Sequence, residues 1–306
     1  MRETERKKSI AEERKIGDED SKGNNIVDGE LMLTAADRVK MARMEGRPGA
    51  EDYIGALIEK FFPLAGDRKG GEDESVLAGI GFFRGRPVTV IGLRKGCTLE
   101  EKIRYRFGMP NPEGYRKAER LMRQAEKFGR PLITFVDTPG AYPGKEAEER
   151  GQGEAIARCL AVMSRLQIPT VAVFIGEGGS GGALAIGVAD RTIMLENSIF
   201  SILSPEGFAS ILWKDAGKWK EASQVMKLTA ADLKELGIVD QIISEKDSAS
   251  GMEGAHQIPQ LMFERVGNAI AAQLEPLLKV KRSDLAERRY KKLRMIGAAD
   301  RKAGRK

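Results

Sequence analysis

The most concentrated chemical signal in the chain is a run of glycines. Five of the seven residues in GEGGSGG (176–182) are glycine, and the run follows the apolar stretch TVAVFI directly. The residues after it predict a short helix, whose first amides point outward with the positive end of the helix dipole behind them. Such amides can stabilise a developing oxyanion, and Gly181 and Gly182 would let a planar group approach the backbone.

The same glycines also permit other interpretations. Gly176, Gly178 and Gly181 match G-x-G-x-x-G, and Glu196 follows about 20 residues later, as in a dinucleotide fingerprint. The predicted helix is short for a nucleotide-binding crossover, which weakens that alternative. No G-K-[ST] follows the glycines, so a phosphate loop is not indicated. A purely structural turn would account for only two or three of the five glycines.

A second loop has a related composition. DTPGAYPG (137–144) follows the continuous apolar stretch PLITFVD, which predicts a buried strand. Its prolines restrict φ and its glycines allow positive φ, so we expect a rigid wall. Asp137, at the strand end, is expected to cap nearby amides. Two such loops at neighbouring strand ends predict a preorganised pocket.

Titratable residues near these loops offer further candidates. Ser180 could be a nucleophile, but the chain has one histidine, His256, far along the sequence, so a local turn role is favoured. Glu177 and Glu154 could form the acid–base pair of a hydratase, although Glu177 is better explained as an acceptor that orders the loop. Ser204 and the proline after it form a helix start.

Composition narrows the class of protein. The chain has 306 residues, 41% hydrophobic content, a formal net charge of +6 and two cysteines. That size suits a globular enzyme, and two distant cysteines predict neither a disulfide framework nor a cysteine-rich zinc site. No apolar run is long enough to span a membrane, and the N-terminus lacks a signal-peptide core, so we expect a cytoplasmic protein. Without interleaved aromatic residues, the basic residues do not indicate nucleic-acid binding.

The order of predicted elements indicates an α/β fold. Helical patterns begin at Thr34, after Pro48 and after Gly114, VLAGIGFF and PVTVIGL predict a hairpin, and buried strands then alternate with helices. Pro276 is expected to interrupt one C-terminal helix and Ser283 to cap another. The predicted divisions are a charged disordered tail (1–30), a helical segment (31–65), the core (66–245) and C-terminal helices with a frayed basic tail (246–306).

Several long strings resemble one family. RPLITFVDTPGAYPG, EERGQGEAIAR, IGEGGSGGALAIG and SPEGFASILWKD, with LAGDR, FGMPNPEGYRKA and VTVIG, are similar to the carboxyltransferase alpha subunit of the heteromeric bacterial acetyl-CoA carboxylase. The similarity covers roughly residues 31–296. It implies the crotonase-like (ClpP/crotonase) fold, a spiral of parallel strands flanked by helices, with helical segments at both ends.

The resemblance also implies a reaction and partners. Carboxybiotin on a carrier protein, loaded by biotin carboxylase, would give its carboxyl group to acetyl-CoA, producing malonyl-CoA for fatty acid synthesis in an α2β2 complex. The beta subunit would carry a four-cysteine zinc module and most of the CoA contacts, and this chain would bind no cofactor of its own. The alternatives are a stand-alone crotonase-type hydratase or isomerase and, more weakly, a dinucleotide-binding dehydrogenase.

Individual site residues follow from the family motifs. The amides of Gly182 and Ala183, with Gly181 allowing approach, would serve the ureido oxygen of biotin. Residues expected to bind substrate lie in both loops and at the helix start: Thr138, Pro139, Gly140, Ala141, Tyr142, Gly178, Gly179, Ser204, Pro205, Glu206 and Gly207. Arg94 and Lys95, in a basic stretch, are possible CoA or carrier contacts. Leu93 and Arg94 stand where the family usually has His-Gln, and Phe62-Pro63 precede LAGDR where it commonly has an acidic residue.

Overall fold

The computed structural model describes residues 25–27 and 30–297, with backbone alone at 25–27 and 30–32. Most of the tail predicted to be disordered (1–30) falls outside the described residues, as do residues 298–306 at the other end. The described part of the tail, 25–27 and 30, belongs to a short antiparallel strand pair instead. The strands are β1 (Asn25–Val27), β2 (Glu30–Met32), β3 (Glu59–Pro63), β4 (Val76–Phe83), β5 (Arg86–Leu93), β6 (Leu132–Thr138), β7 (Thr170–Gly179), β8 (Arg191–Leu195), β9 (Ile199–Ser201), β10 (Gln241–Ile243), β11 (Lys246–Asp247) and β12 (Met252–Glu253).

Helices flank the strands, as predicted for an α/β protein. They are α1 (Ala35–Ala42), α2 (Ala50–Leu57), α3 (Leu99–Arg104), α4 (Pro112–Phe128), α5 (Lys145–Glu149), α6 (Gln152–Arg165), α7 (Ser180–Gly187), α8 (Pro205–Trp213), α9 (Trp219–Val225), α10 (Ala230–Glu235), α11 (Pro259–Leu278) and α12 (Arg282–Met295). Helix α1 starts with the predicted Thr34 cap, which forms a capping box with Asp37, and α4 ends at Gly129 in the left-handed conformation.

One mixed sheet organises the chain. Its order is β10-β8-β7-β6-β5-β4-β3, and β9 pairs with the end of β7. The strands from β5 through β6, β7 and β8 to β10 run parallel, whereas β3, β4 and β5 are antiparallel neighbours. The predicted hairpin of β4 and β5 is confirmed, with the two-residue turn Arg84 and Gly85 at positive φ. Because β5, β6 and β7 are parallel, their carboxyl ends share one edge.

The core lies on both faces of this sheet, because successive residues of a strand point to opposite sides. Ile91 and Phe174 face one apolar layer, which they share with Leu121 of α4. Val90 and Val173 face the other layer, which helices α2 and α11 cover. Burial on both faces explains why these strands are continuously apolar rather than alternating.

Three predicted boundaries were wrong. The helix after Pro48 ends at Leu57, and EKFFP forms β3 because it pairs with β4. Pro276 does not interrupt a helix, because it lies in the last turn of α11. The helix ends two residues later, at Leu278, so the hydrogen bond that proline cannot donate is lost only at the helix end. Ser283 is not a cap, since α12 begins at Arg282 with Lys281 as its N-cap.

The C-terminal helix is fastened to the sheet by a buried arginine. Arg289 of α12 is 1% exposed and forms an ion pair with Asp190 at 2.9 Å. The same guanidinium donates to the carbonyl oxygens of Met163 and Leu166 at the end of α6. A buried guanidinium is stable only when carboxylate or carbonyl oxygens accept hydrogen bonds from it. These contacts therefore make α12 part of the folded core. Within the described ranges, no helix combines the length and apolar character required to cross a bilayer.

Candidate active site

The glycine run forms a strand end and a helix start, not a loop. Strand β7 continues through Gly179, which is the N-cap of α7 and has no side-chain hydrogen bond to offer. The turn between them is made by Ser180 at φ 49°, an uncommon conformation for a residue other than glycine. With Gly179 as the N-cap, the amides of Ser180, Gly181 and Gly182 precede the helical hydrogen-bond ladder, and the Ala183 amide is the first expected to have an acceptor within the helix. Of the predicted donors, Gly182 is therefore better placed than Ala183.

The two predicted loops touch through their backbones at two of the glycines. A Cβ atom at Gly179 would lie 2.1 Å from the carbonyl oxygen of Pro139, and one at Gly182 would lie 2.6 Å from the amide nitrogen of Ala141. Both positions need glycine for packing within the chain. Gly181 differs, because a Cβ there would meet only Ile156, at an ordinary 3.6 Å. The fold itself thus leaves room for a side chain at Gly181.

The loop after β6 is held by hydrogen bonds, as its rigid composition predicted. The Thr138 hydroxyl donates to the Gly108 carbonyl at 2.6 Å and accepts the Gly140 amide at 3.0 Å. The Tyr142 amide donates to the Pro110 carbonyl at 3.0 Å, and Gly140 takes φ 146°. Thr138 is fully buried, so it supports the loop from beneath rather than facing a ligand.

Three concave regions surround the start of α7 and the neighbouring strand ends. A small cleft contains many predicted site residues, namely Pro139, Gly178, Gly179, Ser204 and Pro205. An apolar pocket of about 390 Å³ begins at Ser180 and includes Leu184, Phe200, Ile202 and Met226. A charged cavity of about 280 Å³ lies on the other side of the cleft and includes Lys95, Cys97, Lys102, Phe107 and Asp137. Arg43, Pro139 and Glu177 line both the cleft and the charged cavity.

A charged network lies at the shared carboxyl edge of β5, β6 and β7. The Lys95 ammonium is 2.7 Å from Asp137 Oδ1 and 2.7 Å from Glu177 Oε2. Asp137 Oδ1 also accepts the backbone amide of Glu177 at 2.8 Å. This confirms the prediction that Asp137 caps nearby amides, and it ties the ends of three strands together.

Arg43, the C-cap residue of α1, extends this network to another helix. Its Nε donates to Glu177 Oε1 at 2.7 Å and its Nη1 to Glu206 Oε1 at 2.7 Å. Glu206 lies in the first turn of α8, where Ser204 accepts the Gly207 amide at 3.1 Å and Pro205 follows the cap. The predicted helix start is confirmed, and Glu206 acquires a partner that its local sequence does not indicate.

The network keeps Glu177 and Lys95 charged. Burial alone raises the pKa of Glu177, but the charges and hydrogen bonds of Lys95 and Arg43 outweigh burial and hold this pKa below its usual value. Burial lowers the pKa of Lys95, but Asp137 and Glu177 outweigh it, and the net shift is upward. A carboxylate stabilised in its ionised form is a poor proton donor, so Glu177 does not suit the general-acid role of a hydratase. Glu154, its suggested partner, is exposed on α6.

The nucleophile and dinucleotide alternatives find no support here. His256 packs against Gly46 and Gly254 rather than in the pocket that contains Ser180. A Cβ at Gly176 would lie 2.3 Å from Asp137 Oδ1, so this glycine accommodates the carboxylate rather than a pyrophosphate. Gly176 and Gly178 lie within β7, which differs from the loop that a dinucleotide fingerprint requires.

The basic stretch after β5 is largely paired within the chain. Arg94 donates to the Glu74 carbonyl at 2.8 Å and its guanidinium lies 4.2 Å from the centre of the Tyr105 ring. Lys95 belongs to the charged network described above. The predicted contacts of Arg94 and Lys95 with CoA or a carrier therefore compete with internal partners, and Leu93 is a buried core residue.

Sequence reasoning missed two arginines that organise this region. Arg43 reaches partners 134 and 163 residues away, and Arg47 pairs with the buried Glu245 at 2.6 Å, 198 residues away. Their local signal was only a set of arginines at the end of a predicted helix. Nothing in a single sequence links them to such distant carboxylates.

Comparisons with known proteins identify the family of the chain. The family model described as acetyl co-enzyme A carboxylase carboxyltransferase-like matches residues 1–297. Acetyl-coenzyme A carboxylase carboxyl transferase subunit alpha of Bacillus cereus is 54% identical over 265 residues, 87% of this chain and 80% of that protein. The Staphylococcus carnosus subunit alpha is 51% identical over 87% of this chain and 83% of its own length. A Natranaerobius thermophilus protein named as subunits beta/alpha is 55% identical, and the chain spans 43% of that longer protein.

Solved structures place the fold in the same class. A transcarboxylase 12S structure has a TM-score of 0.59 at 18% identity, covering 86% of this chain and 50% of that chain. A Pseudomonas malonate decarboxylase hetero-tetramer chain has a TM-score of 0.58 at 17% identity, covering 82% of this chain and 98% of that chain. The α/β sheet is thus of the carboxyltransferase, crotonase-like type that the resemblance implied. With the family model spanning every described residue and relatives above 50% identity, the chain belongs to the family of acetyl-CoA carboxylase carboxyltransferase alpha subunits.

Proposed function

We propose that this chain is the carboxybiotin-facing half of an acetyl-CoA carboxyltransferase. The carboxyl group of carboxybiotin, carried on a carrier protein and loaded by biotin carboxylase, moves to the methyl carbon of acetyl-CoA and yields malonyl-CoA for fatty acid synthesis in the cytoplasm. A beta subunit supplies the CoA side and the zinc module in an α2β2 assembly. The name of the Natranaerobius relative, which joins beta and alpha in one protein, supports such a partner.

The observation that carries the proposal is the start of α7. Its first-turn amides have no side-chain cap, and the backbone at Gly181 is bare although the fold leaves space for a side chain there. Uncapped amides at a helix N-terminus stabilise an oxyanion, and bare backbone lets a planar group reach them. The ureido group of biotin is planar and becomes an oxyanion when its carboxyl group leaves.

The apolar pocket beside Ser180 fits the rest of that ligand. At about 390 Å³ it lies in the range of small-molecule sites, and apolar side chains such as Leu184, Phe200 and Ile202 dominate it. A fused ring system with an apolar body and one polar end suits a pocket that is apolar inside and reaches Ser180, the first residue of α7.

The proposed chemistry needs no titrating side chain from this subunit. When the N–C bond of carboxybiotin breaks, CO2 leaves and the electron pair remains on the ureido group, whose oxygen the α7 amides stabilise. The ureido nitrogen then takes a proton from the acetyl methyl group, and the resulting enolate attacks CO2. Glu177, which its neighbours hold in the ionised form, orders the strand end instead of transferring a proton.

Reconstitution tests the proposal. Malonyl-CoA formation from acetyl-CoA and carboxylated biotin would be measured with this chain alone, with a beta subunit from the same source, and with the beta subunit alone. We expect product only from the pair. Hydration of a 2-enoyl-CoA by the isolated chain would favour the hydratase alternative, and an inactive pair would refute the carboxyltransferase assignment.

A further inference from the structure

One arginine joins two site segments that are remote in sequence. Arg43 bridges Glu177, at the end of β7, and Glu206, at the start of α8, with 2.7 Å contacts to each carboxylate. The third nitrogen of the guanidinium, Nη2, lies 3.4 Å from Glu206 Oε2. Arg43 reaches the two carboxylates with different nitrogens of its planar fork. A lysine has a single nitrogen and serves two carboxylates only where both converge on one point, as Asp137 and Glu177 do at Lys95.

Both segments continue directly into the proposed site. Gly179, which lines the cleft and caps α7, lies two residues after Glu177, and Ser204 and Pro205, which line the same cleft, immediately precede Glu206. A shift of either carboxylate would therefore move the wall of the cleft. Arg43 itself forms part of this wall, between the cleft and the charged cavity.

The helix that carries Arg43 is anchored independently. Thr34 and Asp37 form a capping box at the start of α1. Arg38, on the same helix, donates at 2.8 Å to the Glu196 carbonyl and at 2.8 Å to Asn197 Oδ1, beyond the end of β8. Because these bonds fix α1, Arg43 provides a rigid support that orients the two site segments.

We propose that Arg43 is a positioning residue that fixes the end of β7 and the start of α8 relative to each other, and thereby sets the geometry of the carboxybiotin site. The inference rests on the proposed function, because it states what the two segments are positioned for. The proposal gives helix α1 a part in the reaction, although this helix is far along the chain from both site segments.

Kinetics of the pair with the beta subunit test this role. The variants are Arg43→Gln, Arg43→Lys and, as a control at an exposed cation on the same helix, Lys40→Gln. For Arg43→Gln we expect kcat/KM for carboxylated biotin to fall on the order of tenfold or more, with KM for acetyl-CoA unchanged. Arg43→Lys is expected to restore little of the loss, since one ammonium does not replace the fork. Lys40→Gln is expected to leave both parameters unchanged, because the Lys40 side chain is exposed and a surface ion pair contributes little.

A double-mutant cycle and hydrogen exchange separate positioning from general destabilisation. If Arg43 acts partly through Glu206, the Arg43→Gln/Glu206→Gln double variant will be no slower than Arg43→Gln alone. Amide exchange in the isolated chain should accelerate at residues 177–181 and 204–209 in Arg43→Gln but not in Lys40→Gln.

The possible failures are distinguishable. If the wild-type pair makes no malonyl-CoA, the proposed function is wrong, and the inference that depends on it is lost as well. If the wild-type pair is active but Arg43→Gln matches Lys40→Gln in kinetics and exchange, the positioning role alone is refuted. Restoration of full activity by Arg43→Lys would also overturn it.

Discussion

Asp137 and Glu177 share one ammonium group: Lys95 Nζ lies 2.7 Å from a carboxylate oxygen of each, and Asp137 also accepts the Glu177 backbone amide at 2.8 Å. Two carboxylates at this spacing would repel each other without the cation between them. The arrangement makes the ends of β6 and β7 a single unit, so charge at Glu177 should matter to stability as well as to site geometry.

We expect Glu177→Gln to lower the free energy of unfolding by about 3 kcal/mol at pH 7, since it leaves Lys95 and Arg43 short of a buried partner. The pKa of Glu177 is lower in the folded chain than the usual 4.5. Its contribution is therefore fully present above about pH 5 and is lost as pH falls through the folded pKa. Urea unfolding at several pH values should show the variant and the wild type converging in acid.

Glu154→Gln is the matched control for that experiment. Glu154 is an exposed glutamate on α6, so its loss should change the free energy of unfolding by less than about 0.5 kcal/mol at either pH. A Glu177→Gln difference that stayed constant from pH 7 into acid would show that ionisation of this carboxylate contributes nothing.

Two neighbouring glycines should separate folding from activity. Gly181→Ala fits the packing, and we expect the free energy of unfolding to stay the same or rise by up to about 1 kcal/mol. If Gly181 is bare to admit a ligand, kcat/KM for carboxylated biotin should nevertheless fall on the order of 100-fold. The measurements are thermal unfolding of the chain and malonyl-CoA formation by the pair.

Gly182→Ala is the contrasting variant. Its Cβ would lie 2.6 Å from the Ala141 amide nitrogen, and we expect a loss of about 1–3 kcal/mol in stability from overpacking. Full activity of Gly181→Ala would mean that no ligand approaches the backbone there, and the oxyanion assignment would have to be abandoned.

Helix α8 is expected to contact the beta subunit. Ile211 and Leu212 are 63% and 58% exposed, on a helix that begins at the proposed site, and exposed apolar patches commonly mark interfaces. Leu212→Glu should weaken association about 100-fold, because burying an unpaired carboxylate costs about 3 kcal/mol, while the isolated chain stays folded. Sedimentation of the mixed subunits would measure this.

Phe128→Glu provides the control for that prediction. Phe128 is 61% exposed but ends α4, just before β6 begins, and so lies towards the opposite edge of the sheet from the site. The Phe128→Glu variant should associate normally with the beta subunit. Equal effects of the two substitutions would indicate that α8 is not the contact surface.

Tyr115 offers a test of a buried polar group. Its hydroxyl is buried with no hydrogen-bond partner among the described residues, and a Cβ at Gly182 would lie 2.8 Å from it. Burial raises the pKa of Tyr115 well above its usual value, so the hydroxyl stays protonated. We expect Tyr115→Phe to keep activity and to leave stability unchanged or raise it by about 1 kcal/mol. A drop in kcat with unchanged stability would assign the hydroxyl to the site.

Local patterns in the sequence were sufficient for much of the fold. Continuous apolar stretches predicted the parallel strands, glycine at position 129 predicted the end of α4, and Thr34 with Asp37 predicted the start of α1. Each of these depends on residues within a few positions of one another, where backbone conformation and capping are decided. Predictions failed where a distant partner decided the result, as at EKFFP, which is a strand because it pairs with β4.

The sequence by itself determined the chemistry that the candidate site can offer, because glycine, proline and helix starts act through the local backbone. Tertiary structure decided which glycines serve packing and which leave space, since only contact with the Pro139–Ala141 segment distinguishes Gly179 and Gly182 from Gly181. It also decided that Arg43 supports the site. An ion pair across 134 residues depends on how strands and helices pack, and no local pattern encodes that distance.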